Sequence, residues 1–192
     1  MRLLHLYLFL TLIVLLSGFL FISSNDLLLI YIFLEVQSLT LYILAAFDYD
    51  SARSTEASLK YFIFGSLFSG LFLMGWIFLF FSTGLSNLYD MYDFFSLYSS
   101  FYSFDSFFAF QSMIDYQIHI SHLGVFFIVL AILGKLVLFP FYQWVVDVYD
   151  SVSNNTIFFF SIFLKLFLVF FLVRFNSFFN ALFEYGSFNF LF

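Results

Sequence analysis

The chain has 192 residues, of which 64% are hydrophobic and only 9% are charged. Soluble domains carry about 25% charged residues, and a water-soluble fold of this composition would expose apolar patches well above several hundred Å². We therefore interpret the chain as an integral membrane protein. Its formal charge of −6 comes with no basic patch for nucleic acid, and the absence of cysteine excludes disulfides and thiolate-held metal centres within it.

Five apolar stretches are each long enough to cross a bilayer as a helix, which takes about 20 residues. None of them alternates polar and apolar positions, which excludes a strand barrel. We predict an all-α fold and a single transmembrane domain over residues 1–192. The predicted spans cover residues 3–22, 27–47, 57–81, 123–146 and 156–175.

A long connection over residues 83–122 separates the third and fourth predicted spans and contains no lysine or arginine. Ser96, Ser99 and Ser103 recur there at spacings of three and four, with aromatic and aliphatic residues on the other faces. This period predicts an amphipathic helix over residues 93–111 that lies at the membrane surface. An irregular loop rich in serine and phenylalanine is the alternative.

The distribution of positive charge predicts an orientation. With five spans, the amino terminus lies on the same side of the membrane as the connections 48–56 and 147–155. That side carries Arg2 and Arg53, and the opposite side carries Arg174. The positive-inside rule then places the amino terminus inside. No small-residue cleavage site follows the first span, so we expect no cleavable presequence.

Charged residues lie inside the predicted spans at Glu35, Lys60, Lys135 and Lys165, and these include every lysine of the chain. A charge near the bilayer centre costs about 2.5–3.5 kcal/mol on insertion scales, so such residues indicate an ion or proton path. Structural alternatives stay open. Glu35 could form a static ion pair with a neighbouring lysine, and Lys60, close to the start of its span, could reach the surface by snorkelling.

Lys135 lies just before a predicted break in the fourth span. Pro140 removes the backbone hydrogen bond to Leu136 and crowds that turn, and the freed carbonyls then need protein or water as partners. A broken helix at an ionisable residue is typical of transporters, and a simple packing kink is the alternative. We predict that Glu35 pairs with Lys135, directly or through one water, and that switching this pair releases a proton towards Lys165.

Other motifs indicate no metal or cofactor site. His119 and His122 have the spacing of a metal pair on one helical turn, but both lie at a span boundary, where histidine is common. Asn154 begins a glycosylation sequon that abuts a span on the predicted inner side. The chain has no phosphate loop, dinucleotide fingerprint or nucleophile elbow.

Several of these motifs together resemble NADH dehydrogenase subunit 2, a family among the antiporter-like proton-pumping subunits of respiratory complex I. Residues 34–44 resemble its glutamate-bearing helix. The further matching motifs are residues 54–62 with 65–70, Gly134–Lys135–Leu136 with 140–144 and 147–150, and Ser161 with Lys165.

The resemblance implies that Glu35, Lys60, Lys135 and Lys165 occupy proton-path positions in one antiporter-like repeat. The chain has Tyr142 where the family usually has histidine, and only the first half of the family's core is present. The resemblance further implies proton translocation coupled to NADH oxidation by quinone, with no cofactor in this chain because the redox centres belong to other subunits. It also implies the mitochondrial inner membrane, so that the inside is the matrix.

The expected partners are the lipid bilayer, the other membrane-arm subunits and no nucleic acid. A second polypeptide is also expected to supply the missing repeat, because no proline besides Pro140 and no lysine after Lys165 is present. Two other functions remain open: a membrane anchor whose charges form static pairs, and a standalone cation/proton antiporter.

Overall fold

The computed structural model describes residues 2–47, 51–102 and 108–186. These residues are helical apart from short turns and one isolated antiparallel bridge between Asp26 and Asn87. A π-helical turn at Phe159–Phe163 joins the last two helices. The helices in chain order are α1 (Arg2–Ser23), α2 (Leu27–Ala45), α3 (Ala52–Thr83), α4 (Leu88–Tyr102), α5 (Phe108–Lys135), α6 (Gln143–Ser151), α7 (Asn154–Phe158) and α8 (Leu164–Gly186).

Five helices of the described residues are long and apolar enough to cross a membrane, which confirms the predicted all-α fold. The last of them runs continuously through α7, the π-helical turn and the first part of α8. The segments that meet this criterion are Leu4–Ser23, Leu27–Ala45, Ala52–Thr83, Tyr116–Lys135 and Asn154–Asn176.

Helix α3 is the scaffold of the bundle. It has 32 residues and is about 48 Å long at 1.5 Å per residue, so it extends beyond a hydrocarbon core of about 30 Å. Helix α5 runs antiparallel along it. The two backbones approach closely at Gly75, where a Cβ atom would lie 2.6 Å from the Gly124 carbonyl oxygen. Further along, Phe68 packs against Gly134 and then edge-on against Phe141, with ring centroids 5.3 Å apart.

Helices α1 and α8 pack in parallel against each other. Gly18 leaves the space that the Phe167 ring fills, and Phe21 contacts Phe171 with ring centroids 5.6 Å apart. At the end of this contact, the Arg174 guanidinium donates to the Ile22 carbonyl at 2.6 Å and to the Ser24 carbonyl at 3.0 Å. These carbonyls lie at the end of α1, where the helix has no further backbone N–H groups to donate to them. The Arg174 guanidinium satisfies these acceptors instead.

Some predicted boundaries differ from the structure. Helix α3 begins at Ala52 rather than 57, because the Ser51 side chain caps it by accepting from the Ser54 backbone N–H at 3.3 Å. The fourth span does not continue to 146 but ends at Lys135, and Gln143 begins a separate helix.

The amphipathic helix predicted over residues 93–111 is also displaced. Helix α4 ends at Tyr102 and α5 begins at Phe108, while residues 103–107 lie outside the described residues. The start of α4 moves upstream because the Asn87 side chain accepts from the Tyr89 backbone N–H at 3.0 Å. Helix α4 packs on α8 rather than lying alone on a surface, since Phe95 is buried and contacts Phe178.

Candidate functional site

The break between α5 and α6 begins at Lys135, ahead of Pro140. The Leu138 N–H donates to the Leu133 carbonyl at 3.1 Å, and the Val137 N–H donates to the Gly134 carbonyl at 3.2 Å. This pair of bonds is a Schellman motif, which requires a left-handed residue just after the helix. Val137 takes that conformation with φ of 63°, although its branched side chain disfavours it. Lys135 is therefore the last residue of α5, and the Schellman motif terminates the helix there.

The side chain of Lys135 is buried inside the bundle. The residue is 8% exposed, and its Nζ atom is buried without a hydrogen-bond partner among the residues that the structure describes. It adjoins a cavity of about 10 Å³, which is close to the minimum that admits one water. The cavity is lined by Ser38, Tyr61, Gly65, Phe68, Lys135, Trp144 and Leu164, which come from α2, α3, α5, α6 and α8.

Aromatic packing from α3 fixes the walls of this cavity. The Trp144 indole stacks on both Tyr61 and Phe64, with ring centroids 5.7 and 5.4 Å apart. Gly65 has no side chain where the Tyr42 hydroxyl approaches the helix. Sequence reasoning missed these aromatic residues, because an aromatic face at helical spacing looks the same whether it meets lipid or protein.

Glu35 lies near the Lys135 site but does not touch it. The carboxylate interacts electrostatically with Lys135, yet the two form no hydrogen bond or ion pair, so the predicted direct pair is wrong. Glu35 is half-buried, and its Oε2 atom is buried with no hydrogen-bond partner. One turn along α2, the Ser38 hydroxyl lines the Lys135 cavity and donates to the Glu35 carbonyl at 2.9 Å. The bridge through one water stays a prediction.

Lys60 reaches an exposed site, as the snorkelling alternative predicted, and its place in a proton path stays a prediction. Its Nζ lies 2.9 Å from Glu56 and 3.1 Å from Asp147, and its side chain is 37% exposed. These two ion pairs place Lys60 at the exposed edge where α3 meets α6. The spacing of four residues could have predicted the contact with Glu56. Nothing local predicts the contact with Asp147.

Lys165 lies on the flank of α8. Its neighbour Leu164 lines the Lys135 cavity, whereas Lys165 itself is half-buried and forms no ion pair among the residues that the structure describes. The π-helical turn Phe159–Phe163 directly precedes both residues. Such bulges rotate the following residues about the helix axis and occur often at functional sites. The structure thus brings Lys135 and Ser38 together, and leaves Lys60 and Lys165 at the periphery of that cavity.

No group of three or more histidine or acidic residues in the described part of the chain could hold a metal ion. The His122 ring nitrogen Nδ1 lies 2.7 Å from the Ile118 carbonyl on the preceding turn of its own helix. This contact orients the ring along α5. The candidate chemistry of the chain therefore resides in the buried lysine and the polar atoms around it.

Comparisons with known proteins match this chain to membrane subunits of respiratory enzymes. A family model described as NADH:quinone oxidoreductase/Mrp antiporter, transmembrane, matches residues 24–192. NADH-quinone oxidoreductase subunit N of Azoarcus sp. (strain BH72) is 36% identical over 148 residues, which are 77% of this chain and 27% of that protein. NADH-ubiquinone oxidoreductase chain 2 of Marchantia polymorpha is 34% identical over 141 residues, or 73% of this chain and 27% of that protein. The chain spans about a quarter of the length of these curated relatives.

Solved structures agree with the family match. A chain of respiratory complex I from Thermus thermophilus with bound aureothin has a TM-score of 0.61 and 26% identity, and the match covers 88% of this chain and 33% of that one. A chain of the membrane-bound sulfane sulfur reductase, an archaeal respiratory membrane complex, has a TM-score of 0.67, with 86% and 30% covered. At 22% identity, this second likeness shows the fold alone.

The resemblance to the antiporter-like subunits of complex I is confirmed by these matches, and the narrower assignment to the mitochondrial subunit 2 stays a prediction. The matched region includes α2 to α8 and so contains Glu35 and all three lysines. By the extent of this match, the chain belongs to the NADH:quinone oxidoreductase/Mrp antiporter family of membrane proteins.

Proposed function

We propose that the chain forms part of a proton path through the membrane arm of an NADH:quinone oxidoreductase, with Lys135 as the group that carries the proton. The observation that supports this most is the buried Nζ atom of Lys135, which has no hydrogen-bond partner in the described part of the chain and adjoins a cavity of water size. A buried charge without a partner is expensive, whereas a group that gains and loses a proton needs that freedom. A static anchor would instead be expected to pair its lysine.

The neighbouring residues have separate roles in this proposal. The Glu35 carboxylate acts on Lys135 electrostatically from α2, so protonation or movement of Glu35 would change how strongly Lys135 holds its proton. The Ser38 hydroxyl lines the cavity and can orient one water there. Lys165 on α8 is the next basic group beyond Leu164 and is proposed as the following acceptor. Redox cofactors are proposed to lie on other subunits of the enzyme.

Replacement of Lys135 by arginine, which keeps the positive charge, distinguishes a proton carrier from a membrane anchor. We expect Lys135→Met and Lys135→Arg both to lose most NADH-driven proton translocation in liposomes, because neither side chain can release a proton at this site. The complex should still assemble on a native gel, and NADH oxidation by an acceptor that bypasses the membrane arm should continue. If Lys135→Arg pumps normally, the residue is a structural cation and the proposal is wrong.

Location and orientation are further parts of the proposal. The relative from Marchantia polymorpha is named a chain of an NADH-ubiquinone oxidoreductase, and on this likeness we propose that the chain lies in the mitochondrial inner membrane. The proposed matrix position of the amino terminus rests on the distribution of Arg2, Arg53 and Arg174. Tyr89 on α4 is 60% exposed, and the chain is free of cysteine. A Tyr89→Cys variant should therefore react with an impermeant maleimide only from the intermembrane-space side. Labelling from the matrix side would contradict this orientation.

Other membrane-arm subunits are also proposed to contribute to the path. Structural neighbours are multi-subunit respiratory complexes, which supports contacts with other membrane-arm subunits. The expected second polypeptide stays a prediction. Identification of the chains that co-migrate with this one on a native gel, followed by sequencing, would test both partners.

A further inference from the structure

Helix α6 is attached to α3 by two contacts of different kinds. Near its start, Trp144 stacks on Tyr61 and Phe64 of α3. One turn further, Asp147 forms an ion pair with Lys60 of the same helix at 3.1 Å. The stripe on α3 that receives these contacts continues to Phe68, which contacts the turn before α6 through Phe141. A short helix of nine residues is thus aligned along a long one.

Helix α6 contributes a wall of the Lys135 cavity. Trp144 lines the cavity and is 9% exposed, so a movement of α6 would change one of the cavity walls. Among the described residues its Nε1 atom has no hydrogen-bond partner, so the ring is held by stacking and packing. Stacked rings slide at little energetic cost, because offset arrangements are all favourable. Val145 and Val148 also bury α6 in the core, and the ion pair between Asp147 and Lys60 is the polar contact that fixes its position along α3.

The Lys60 ammonium also has a second carboxylate within reach. Glu56 lies one turn earlier on α3 and holds the same Nζ atom at 2.9 Å. If Asp147 departs, Lys60 keeps a partner on its own helix, so opening does not leave an unpaired cation. Asp147 itself is exposed and can be solvated at the membrane surface. The contact thus has two accessible arrangements, one with α6 attached and one with α6 released.

We propose that Asp147 is a positioning residue, and that its ion pair with Lys60 holds α6 over the Lys135 cavity. Release of this pair moves Trp144 and opens a route from the membrane surface to Lys135. The positioning role of Asp147 is inferred from these contacts alone. The role of the opened route in proton transfer rests on the proposed function, since only then does access to Lys135 admit a proton.

The native absence of cysteine allows a direct measurement of cavity access. Ser38 lines the cavity and is 2% exposed, so a Ser38→Cys variant reports opening by its rate of reaction with a small methanethiosulfonate reagent. The rate is measured on this chain within the intact membrane complex, without turnover. In that background Asp147→Asn removes the contact between helices, and Glu56→Gln is the matched control, because it removes the other carboxylate on Lys60 without touching α6.

We expect Asp147→Asn to raise the labelling rate about two- to fivefold, the range that an exposed ion pair provides, and Glu56→Gln to leave it unchanged. The exchanged pair Lys60→Asp with Asp147→Lys should restore the slow rate. Equal rates in the two single variants, or no rescue by the exchange, would overturn the inference. If Asp147→Asn fails to assemble, Lys60→Gln gives the same test from the other side of the contact.

The outcome is separable from that of the proposed function. A faster rate in Asp147→Asn supports the positioning role even if Lys135→Arg pumps normally, in which case only the proton path is wrong. Conversely, loss of pumping in Lys135→Arg together with an unchanged labelling rate would keep the proton path and reject the role of Asp147.

Discussion

Lys60 and Lys135 both lie in the region where α3 packs against α5 and α6, yet the two side chains differ in exposure and in ionic partners. Lys60 is partly exposed and lies within 3.1 Å of two carboxylates, whereas Lys135 is 8% exposed and has no hydrogen-bond partner. In the sequence both are lysines within apolar stretches. The comparison shows that a charge in a hydrophobic segment is informative only once its partners are known, because paired charges can be purely structural.

The two environments follow from where each residue lies on its helix. Lys60 is in the first third of α3, which is longer than a bilayer requires and so extends towards the polar boundary. Lys135 is the last residue of α5, and a cation near the carboxyl end of a helix interacts favourably with the helix dipole. The helix end thus offers Lys135 a weak and diffuse compensation, while Lys60 has two formal charges.

Replacing each lysine by methionine should separate the two sites most strongly. We expect Lys135→Met to raise the stability of the complex by about 3 kcal/mol, because it removes an unpaired charge from the apolar interior. Lys60→Met should lower stability only slightly, as expected for an exposed ion pair that solvent screens. The temperature at which this chain dissociates from the solubilised complex measures both effects. A loss of stability in Lys135→Met would mean that Lys135 has a compensating partner.

Gly134 beside the buried lysine should be far less tolerant than a lipid-facing glycine. A Cβ atom at Gly134 would collide with the Phe68 ring, which lines the Lys135 cavity, whereas a Cβ atom at Gly70 meets nothing within 4 Å. We expect Gly134→Ala to destabilise the bundle by about 2 kcal/mol through overpacking. Gly70→Ala should be neutral or stabilising by up to about 1 kcal/mol. Similar melting of the two variants would show that Phe68 can move freely.

The break itself offers a third test of the Lys135 region. Val137 adopts the left-handed conformation, which disfavours a residue with a side chain by about 1–2 kcal/mol. Val137→Gly should relieve this strain, lose part of the valine packing and stabilise the chain by about 0.5–1 kcal/mol. Val129→Gly, within α5 and equally half-buried, should instead destabilise by more than about 1 kcal/mol. The midpoint temperatures of thermal unfolding of the two variants measure both effects. A midpoint for Val137→Gly below that of the wild-type chain would show that the Val137 conformation is not strained.

The sequence predicts the spans well because length and hydropathy are local properties. It predicts a broken helix from Pro140, but the helix ends earlier, at Lys135. That boundary depends on Val137 taking a left-handed conformation, which a branched side chain does not signal. The start of α4 was predictable in principle, because Asn87 is a capping residue.

The candidate site is harder to predict than the fold. The identity of its charged residues is visible in the sequence, and their partners are not. Asp147 lies 87 residues from Lys60 in the chain, and only the packing of α6 on α3 brings the two together. Likewise, nothing local in the spacing of Tyr61 or Phe68 shows that they enclose a lysine rather than face lipid. Long-range contact, not residue type, separates the ion-paired Lys60 from the buried Lys135.

Salt should have the smallest effect, and it should act on one site only. Because the Lys60 contacts are exposed, their strength falls as the Debye length shrinks from about 10 Å at 0.1 M to about 3 Å at 1 M salt. The stability difference between the wild-type chain and Lys60→Gln, expected to be small at low salt, should therefore vanish near 1 M salt. The difference between the wild-type chain and Lys135→Met should persist, since ions do not screen a charge that protein surrounds. If both differences decline together, Lys135 is reached by solvent in the resting complex, and the contrast between the two lysines is one of degree.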